Sequence, residues 1–419
     1  MKNRPEILVV GGGPGGVAAA YWLARKGHEV LLVEKYEYPR EKACGDGLTP
    51  RAITQLIDMG FDFDVPELHR IHGLRAYGGG TVLELPWPQH SIHPDWGAVI
   101  RRSDLDGQVA VLAAAQGVAV RQRTEAKPVL ENGSMVGVEL VLDGESEVIR
   151  PEMVVVADGS LSRFGRALGA MRDRTYPYAL AVRGYYRSPA ADDPFLESYL
   201  DIRDAEGRTL PGYGWVFPLG DGTVNLGVGV MSTFKGWKNV NTNDLLAALE
   251  QTVPEYWGLD AEARTARPKG GKIPMAFSIG PKAGPNWVLV GDAAGAVNPF
   301  NGEGIDYAYE TGRMAADHIH AALGTREPAL LHSYPQALED EYGLYHRVAR
   351  LFVTLIGRPV LLRSLVTVGF RSRPLMEWVL KAMANLLEPS EQAFAERAFR
   401  LAEMVAQAAP EPALLAPAR

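Results

Sequence analysis

The sequence predicts an α/β plus α+β fold: a doubly wound parallel-sheet domain, a second domain built on an antiparallel sheet, and a helical C-terminal extension. Three observations predict it. The chain opens on an apolar strand, a glycine turn and a helix; its middle alternates apolar and polar residues around a Gly-Asp-Gly turn; and its last quarter carries helical periodicity. With 419 residues, 47% hydrophobic and 22% charged, the chain has ample material for two globular domains and an extension, which excludes a disulfide-stapled mini-protein.

The first unit runs through the strand Ile7 to Val10, the turn Gly11 to Gly16, a helix containing Ala18, Ala19, Ala20, Leu23 and Ala24 up to Gly27, and a second strand Val30 to Val33 closing on Glu34. Gly11, Gly13 and Gly16, with Pro14 opening the helix, have the dinucleotide-binding spacing, and an acid stands about 20 residues on. The glycines let the backbone touch a pyrophosphate, and the helix N-terminus offers free N–H groups and the positive end of its dipole. Glu34 can accept ribose hydroxyls and disfavours a 2′-phosphate, so FAD or NAD is expected rather than NADP.

Two later segments share this character. The apolar strand Met153 to Ala157 ends in Asp158-Gly159-Ser160, and Trp287 to Val290 ends in Gly291-Asp292-Ala293-Ala294-Gly295. Each places an acid and small residues at a strand's carboxyl end, where open α/β sheets bind ligands. Each alone also reads as a turn or helix cap. Together with the N-terminal turn they imply one nucleotide domain assembled from separated pieces: 1–75, 95–170 and 285–330.

Between the pieces, 76–94 and 171–284 form the expected substrate domain. Tyr176 to Tyr186, Glu197 to Ile202, Tyr213 to Leu219 and Thr223 to Val230 read as antiparallel strands, the last two joined at Gly220-Asp221-Gly222. Alternation puts Tyr213, Trp215 and Phe217 on one face and Asn225, Gly227 and Gly229 on one face of the partner strand. Such an aromatic wall is either core or part of a binding slot.

After Asn298-Pro299-Phe300-Asn301-Gly302-Glu303-Gly304 a helix is expected from about Ile305 to Leu323. Residues 331–419 form the C-terminal region, helical from Leu330 to Leu387 with breaks at Pro359 and Pro374, followed by an Ala- and Pro-rich tail from Ala408 expected to be disordered. Between Arg347 and Leu387 stand seven Arg or Lys and one acid, Glu377. That stretch reads either as a solvated basic face or as a membrane-surface patch or lid over an apolar ligand.

The remaining composition excludes several classes. There are 43 basic and 50 acidic residues, a formal net charge of -7, which argues against nucleic acid as a partner. A single cysteine, Cys44, permits neither an intramolecular disulfide nor a thiolate zinc cluster and suits a reducing compartment. His69/His72 and His90/His93 lack further ligands at workable spacing, so no metal is expected. The run Ile7 to Val10 is too quickly interrupted for a signal h-region, and no stretch reaches a bilayer-spanning apolar length. The 45 glycines are an excess that points to close backbone approach to a ligand.

The Gly11 to Gly16 fingerprint, Asp158-Gly159 and Gly291-Asp292 resemble the FAD motifs of flavoproteins related to para-hydroxybenzoate hydroxylase. Lys42-Ala43-Cys44-Gly45-Asp46-Gly47-Leu48-Thr49-Pro50, Pro211-Gly212-Tyr213-Gly214-Trp215-Val216-Phe217-Pro218 and Asn301-Gly302-Glu303-Gly304-Ile305-Asp306 resemble the geranylgeranyl reductase family. Within it, the first two strings are most similar to the menaquinone reductases, which saturate one isoprene unit of a quinone tail. The resemblance covers Met1 to about Leu387. It implies FAD with its pyrophosphate at Gly11 to Gly16, ribose on Glu34, Arg102 near the pyrophosphate, Asp292 on the ribityl or phosphate, and Lys35, Cys44, Gly45, Asp158, Gly159 and Gly291 as further cofactor-binding residues. Gly302, Gly304 and Ile305 would start a helix beside the flavin ring, where its positive end favours the reduced, negatively charged cofactor.

Under that resemblance Tyr213 and Trp215 would clamp an isoprenoid, and Cys44 is the candidate proton donor or gate, with a buried structural cysteine as the alternative. A flavin monooxygenase or epoxidase acting on a prenylated or aromatic substrate is the second reading of the scaffold. Tyr213 to Pro218 also resembles the halogenase Trp-x-Trp-x-Ile-Pro string, but Tyr and Phe stand where that string has Trp and Ile. A non-catalytic isoprenoid carrier is a third reading. No second strand, GxGxxG and helix unit is present, Tyr77-Gly78-Gly79-Gly80 lacking the flanking pattern. Electrons are therefore expected from NAD(P)H docking transiently or from a ferredoxin-type carrier. The expected location is cytoplasmic, peripheral on the inner face of the cell membrane.

Overall fold

The computed structural model describes residues 5–204, 206–388, 391–392, 397 and 400; the tail from Ala408 lies outside them. Ile7–Val10, Val30–Val33, Met153–Val156 and Trp287–Leu289 form a parallel sheet, in the order Ala283–Gly284, Trp287–Leu289, Met153–Val156, Ile7–Val10, Val30–Val33, Ala119–Arg121. Only the edge strand Ala283–Gly284 runs antiparallel. The central strands are buried on both faces, which is why they read as unbroken apolar runs. Ile7 pairs with Met153 on one side and Val30 on the other, so strands about 150 residues apart in sequence share one sheet.

One face of this sheet carries the helices Pro14–Arg25 and Ile305–Thr325. They touch backbone to backbone: a Cβ on Gly312 would lie 2.4 Å from the Gly15 carbonyl oxygen, and one on Gly15 would lie 3.2 Å from that of Ala308. The other face is covered by a three-stranded meander, Thr124–Glu131, Ser134–Leu142 and Glu145–Ile149, through Met135, Val138, Leu140 and Ile149. Its two turns hold Asn132-Gly133 and Asp143-Gly144 at positive φ, the residues such tight hairpins require.

The second sheet has seven strands, ordered Lys269–Pro274, Tyr178–Arg187, Thr223–Met231, Gly212–Pro218, Phe195–Tyr199, Gly73–Gly78, Thr81–Pro86. All neighbours are antiparallel except Phe195–Tyr199 and Gly73–Gly78. The strand Gly73–Gly78 crosses the division expected at residue 75. The hairpin closes at Gly220 and Gly222, both at positive φ, and sets Tyr213 opposite Gly229, Trp215 opposite Gly227 and Phe217 opposite Asn225.

Beyond Thr325 come the helices Tyr334–Ile356, Pro359–Gly369 and Arg373–Met383. Pro359 and Pro374 fall in their first turns, where a missing N–H costs nothing. Among the described residues no single helix is long and apolar enough to cross a membrane, and no group of three or more His, Cys, Asp or Glu is arranged to hold a metal ion.

Candidate functional site

The glycine turn closes because two of its glycines have no room for a side chain. A Cβ on Gly16 would lie 1.9 Å from the Gly11 carbonyl oxygen, and Gly11, at φ +104°, would meet the Ala157 carbonyl oxygen at 2.4 Å. Pro14 then starts the helix, with Gly13 as a cap lacking any side chain to occupy the first N–H groups. Glu34 is buried at the end of its strand and accepts the Gly12 N–H at 2.9 Å and the Tyr36 N–H at 3.0 Å. Arg40 bridges Glu34 at 3.2 Å and Asp106 at 2.9 Å, and Arg102 forks onto Asp106 at 2.8 and 2.7 Å. A Cβ on Gly13 would have Arg40 Nη2 at 3.8 Å and Arg102 Nη2 at 3.9 Å.

Two guanidinium groups beside an uncapped helix N-terminus suit a pyrophosphate. Asp158 Oδ1 is buried without a hydrogen-bond donor among the described residues, as expected where a polar ligand completes the set. These residues fit a dinucleotide. Lys35 lies apart from the cluster, exposed and 3.6 Å from Glu125. Arg40 and Asp106 escaped the sequence reading because neither belongs to the glycine motif.

The separated segments converge at Lys42. Its Nζ is 3.6 Å from Asp292 Oδ2 and would be 3.4 Å from a Cβ on Gly159. Asp292 Oδ1 would in turn be 3.5 Å from a Cβ on Gly304, while one on Gly302 would face the Tyr213 hydroxyl at 3.9 Å. Gly291 turns at φ +56° against Ala308, and Ile305 is buried at the start of the long helix. Asp158 accepts the Phe164 N–H at 2.9 Å, and burial pushes its carboxyl up.

The loop carrying Cys44 is held against the aromatic strand. The Cys44 carbonyl accepts from Asn225 Nδ2 at 2.8 Å and Arg183 Nε at 3.2 Å. Asp46, fully buried at φ +67°, accepts from Tyr185 at 2.6 Å and Asn225 at 2.8 Å, and from the Arg102 N–H at 3.2 Å. The Asp46 N–H reaches Cys44 Sγ at 3.4 Å. Burial pushes the Cys44 thiol up, with the Arg102 guanidinium opposing and the Asp46 carboxylate adding to the shift; the sulfur therefore stays protonated at neutral pH.

Asn225 also accepts the Trp215 indole N–H at 2.9 Å, so one amide ties the wall to the cysteine loop. Tyr213 donates to the Asn301 carbonyl at 2.5 Å, joining the wall to the Gly302 turn. The Tyr213 and Trp215 rings lie 5.8 Å apart. Asp46, Arg183, Tyr185 and Asn225 were not singled out from sequence as site residues.

Behind the Gly302 turn lies a carboxylate cluster. Glu303 accepts from Thr49 and from Asn301 at 3.4 Å, and burial pushes it up to about 7. Arg51 binds Glu310 at 2.7 and 2.8 Å but stands 3.9 Å from Asp306. Asp306 is fully buried, with neither oxygen hydrogen-bonded among the described residues. Burial and its two acidic neighbours hold it protonated.

The chain has relatives in both sequence and fold. The FAD binding domain family matches residues 4–185. The chain is 38% identical over 407 residues to a menaquinone reductase of Mycolicibacterium smegmatis, covering 97% of this chain and 98% of the relative. It is 30% identical to a digeranylgeranylglycerophospholipid reductase of Thermoplasma acidophilum, covering 81% and 85%. In fold it is similar to a geranylgeranyl bacteriochlorophyll reductase-like protein of Thermoplasma acidophilum, with a TM-score of 0.76, 24% identity and 93% and 98% coverage. A flavin-dependent brominase shares the fold with a TM-score of 0.74 and 19% identity, covering 96% and 99%. The chain belongs to the geranylgeranyl reductase-like family of FAD-dependent oxidoreductases.

Proposed function

We propose that this protein saturates a C=C bond of a polyprenyl chain, most specifically one isoprene unit of a menaquinone tail. The observation that carries this reading is the 38% identity to menaquinone reductases over nearly the whole of both chains. FAD, when bound and reduced, supplies a hydride. An isolated alkene offers no carbonyl to polarise, so one carbon takes the hydride and the other must take a proton, through a cation-like transition state.

The chain's residues meet those two needs. The Cys44 thiol, kept protonated by desolvation, donates the proton. Tyr213 and Trp215 present aromatic faces that tolerate positive charge while excluding water. Electrons arrive from NAD(P)H docking transiently or from a ferredoxin-type carrier. The enzyme works peripherally on the inner face of the cell membrane, where its lipid substrate resides.

Incubating prereduced holoenzyme with detergent-dispersed menaquinone and reading the product mass tests this. A gain of two hydrogens is expected. A gain of oxygen would replace it with the monooxygenase reading, and an unchanged mass would remove the activity.

A further inference from the structure

The helix Pro359–Gly369 buries Leu362 and Gly369 on one side, where Val366 is partly buried and Phe370 continues the stripe. Its opposite side is apolar too: Val360 is 81% exposed, Val368 59% and Leu365 44%, with Leu375 of the next helix at 40%. From Tyr342 to Met376 the chain contains six arginines and no acid, in a protein whose net charge is -7. Exposed branched aliphatic side chains in an arginine-rich stretch of chain without acids suit a surface that is anionic outside and apolar just beneath.

The inner side of the helix leads to the proposed site. Leu362 packs in the cluster that contains Met275, Val297, Val353 and Ile356, while Phe370 belongs to the cluster that Phe217 packs against; Val366 packs against both. Met275 borders the Gly302 turn facing Tyr213. The packed side of the helix thus abuts the two apolar clusters that reach the aromatic strand and the Gly302 turn. The helix is pinned at its margins. A Cβ on Gly78 would lie 2.7 Å from Phe370 and 2.8 Å from Val366, one on Gly357 would meet the Thr233 carbonyl oxygen at 2.4 Å, and Arg363 donates to Thr209 at 3.1 Å.

We infer that the helix Pro359–Gly369 is a docking wedge for anionic lipid: Val360, Leu365 and Val368 enter the headgroup region, arginines of the same acid-free stretch meet lipid phosphates, and the packed side of the helix forms the wall past which a polyprenyl tail passes to Tyr213. This rests on the proposed function only for the identity of the tail; the lipid contact stands on the surface itself.

The test is co-sedimentation of the holoenzyme with phosphatidylcholine vesicles, with and without phosphatidylglycerol. Wild type should partition about tenfold more strongly onto the anionic vesicles, the preference shrinking with added salt. V360E/V368E should lose about tenfold of that partitioning while keeping its flavin absorbance and thermal midpoint, because both side chains face solvent. V111E, on the distant helix Arg102–Ala115 where Val111 is 70% exposed, should bind like wild type. Equal binding to both vesicle types, or undiminished binding by V360E/V368E, would overturn the assignment. So would vesicle-free dimerisation that V360E/V368E abolishes, which would give the face to a second copy of this chain. Failure of the detergent-dispersed menaquinone assay would sink the proposed substrate without touching this result.

Discussion

Replacing Gly227 by alanine should break the link between the aromatic wall and the cysteine loop, whereas the same change two residues along should not. A Cβ on Gly227 would sit 2.1, 2.5 and 2.7 Å from three atoms of the Trp215 indole. Restoring an ordinary carbon–carbon contact of about 3.5 Å requires the ring to move by about 1.4 Å. The ring has little freedom: Trp215 is 6% exposed, and its N–H is committed to Asn225. Overpacking of this kind costs about 1–3 kcal/mol, and breaking the indole hydrogen bond adds about 1 kcal/mol.

Gly229 lies on the same strand and face, yet its Cβ would meet Ala181 and Trp215 at 3.8 Å. That is normal contact, so G229A should be neutral, or stabilising by about 0.4–1 kcal/mol through the unfolded state. Chemical denaturation of the two holoproteins gives the difference, and near-ultraviolet circular dichroism reports the Trp215 environment. Equal stability and identical near-ultraviolet spectra for G227A and G229A would refute the reasoning.

Other consequences are equally direct. C44A should fold and retain flavin but lose roughly 10²–10⁴-fold in alkene reduction; full turnover would remove Cys44 from the chemistry. Glu303 is pushed up to about 7 from its ordinary 4.5, so the folded protein holds a proton that the unfolded chain releases in that window. Its stabilising contribution is full below the unfolded value and is lost as pH rises through about 7. E303Q should therefore gain stability over wild type at about pH 8 and not at about pH 5; a pH-independent difference in denaturation midpoint would contradict this. Glu197, with no exposed surface, accepts hydrogen bonds from Arg75, Tyr77 and Trp257 at 2.9, 2.9 and 2.7 Å, and from Tyr199 and Tyr256. E197A should cost about 2–4 kcal/mol in urea unfolding, because Arg75 keeps Asp193 and Glu84 while the buried Trp257 indole N–H and Tyr199 hydroxyl lose their acceptor; a loss below about 1 kcal/mol would show that these donors find other acceptors.

What could be read from the residues alone follows the range of the interactions. The glycine turn, the two later strand ends and the Tyr213 hairpin are set by local spacing and turn chemistry, and they stand in the structure close to their expected bounds. The meander at 124–149 was legible too, in Asn132-Gly133 and Asp143-Gly144, but went unread. The network joining Asp46 to Tyr185 and Asn225 was not legible: its partners stand 139 and 179 residues away, and only the fold reveals that Asp46 is buried among them. Arg40 likewise gains its place from Asp106 and Glu34, a pairing without a local signature. The parallel contact of Gly73–Gly78 with Phe195–Tyr199 has no short-range signal either, since parallel strands need a long connection.

The threading of the parallel sheet bears on how the protein is made. Met153–Val156 lies between Ile7–Val10 and Trp287–Leu289, and the first helix seats its glycines against a helix that ends at Thr325. The amino-terminal strand therefore waits for its second partner until Val156 is made, and the first helix waits for its packing partner until Thr325, about 15–60 s into translation at roughly 5–20 residues per second. During that interval the most apolar strands of the chain are exposed on a ribosome-bound intermediate, which makes them clients for chaperones. Their cofactor can be captured only near the end of synthesis.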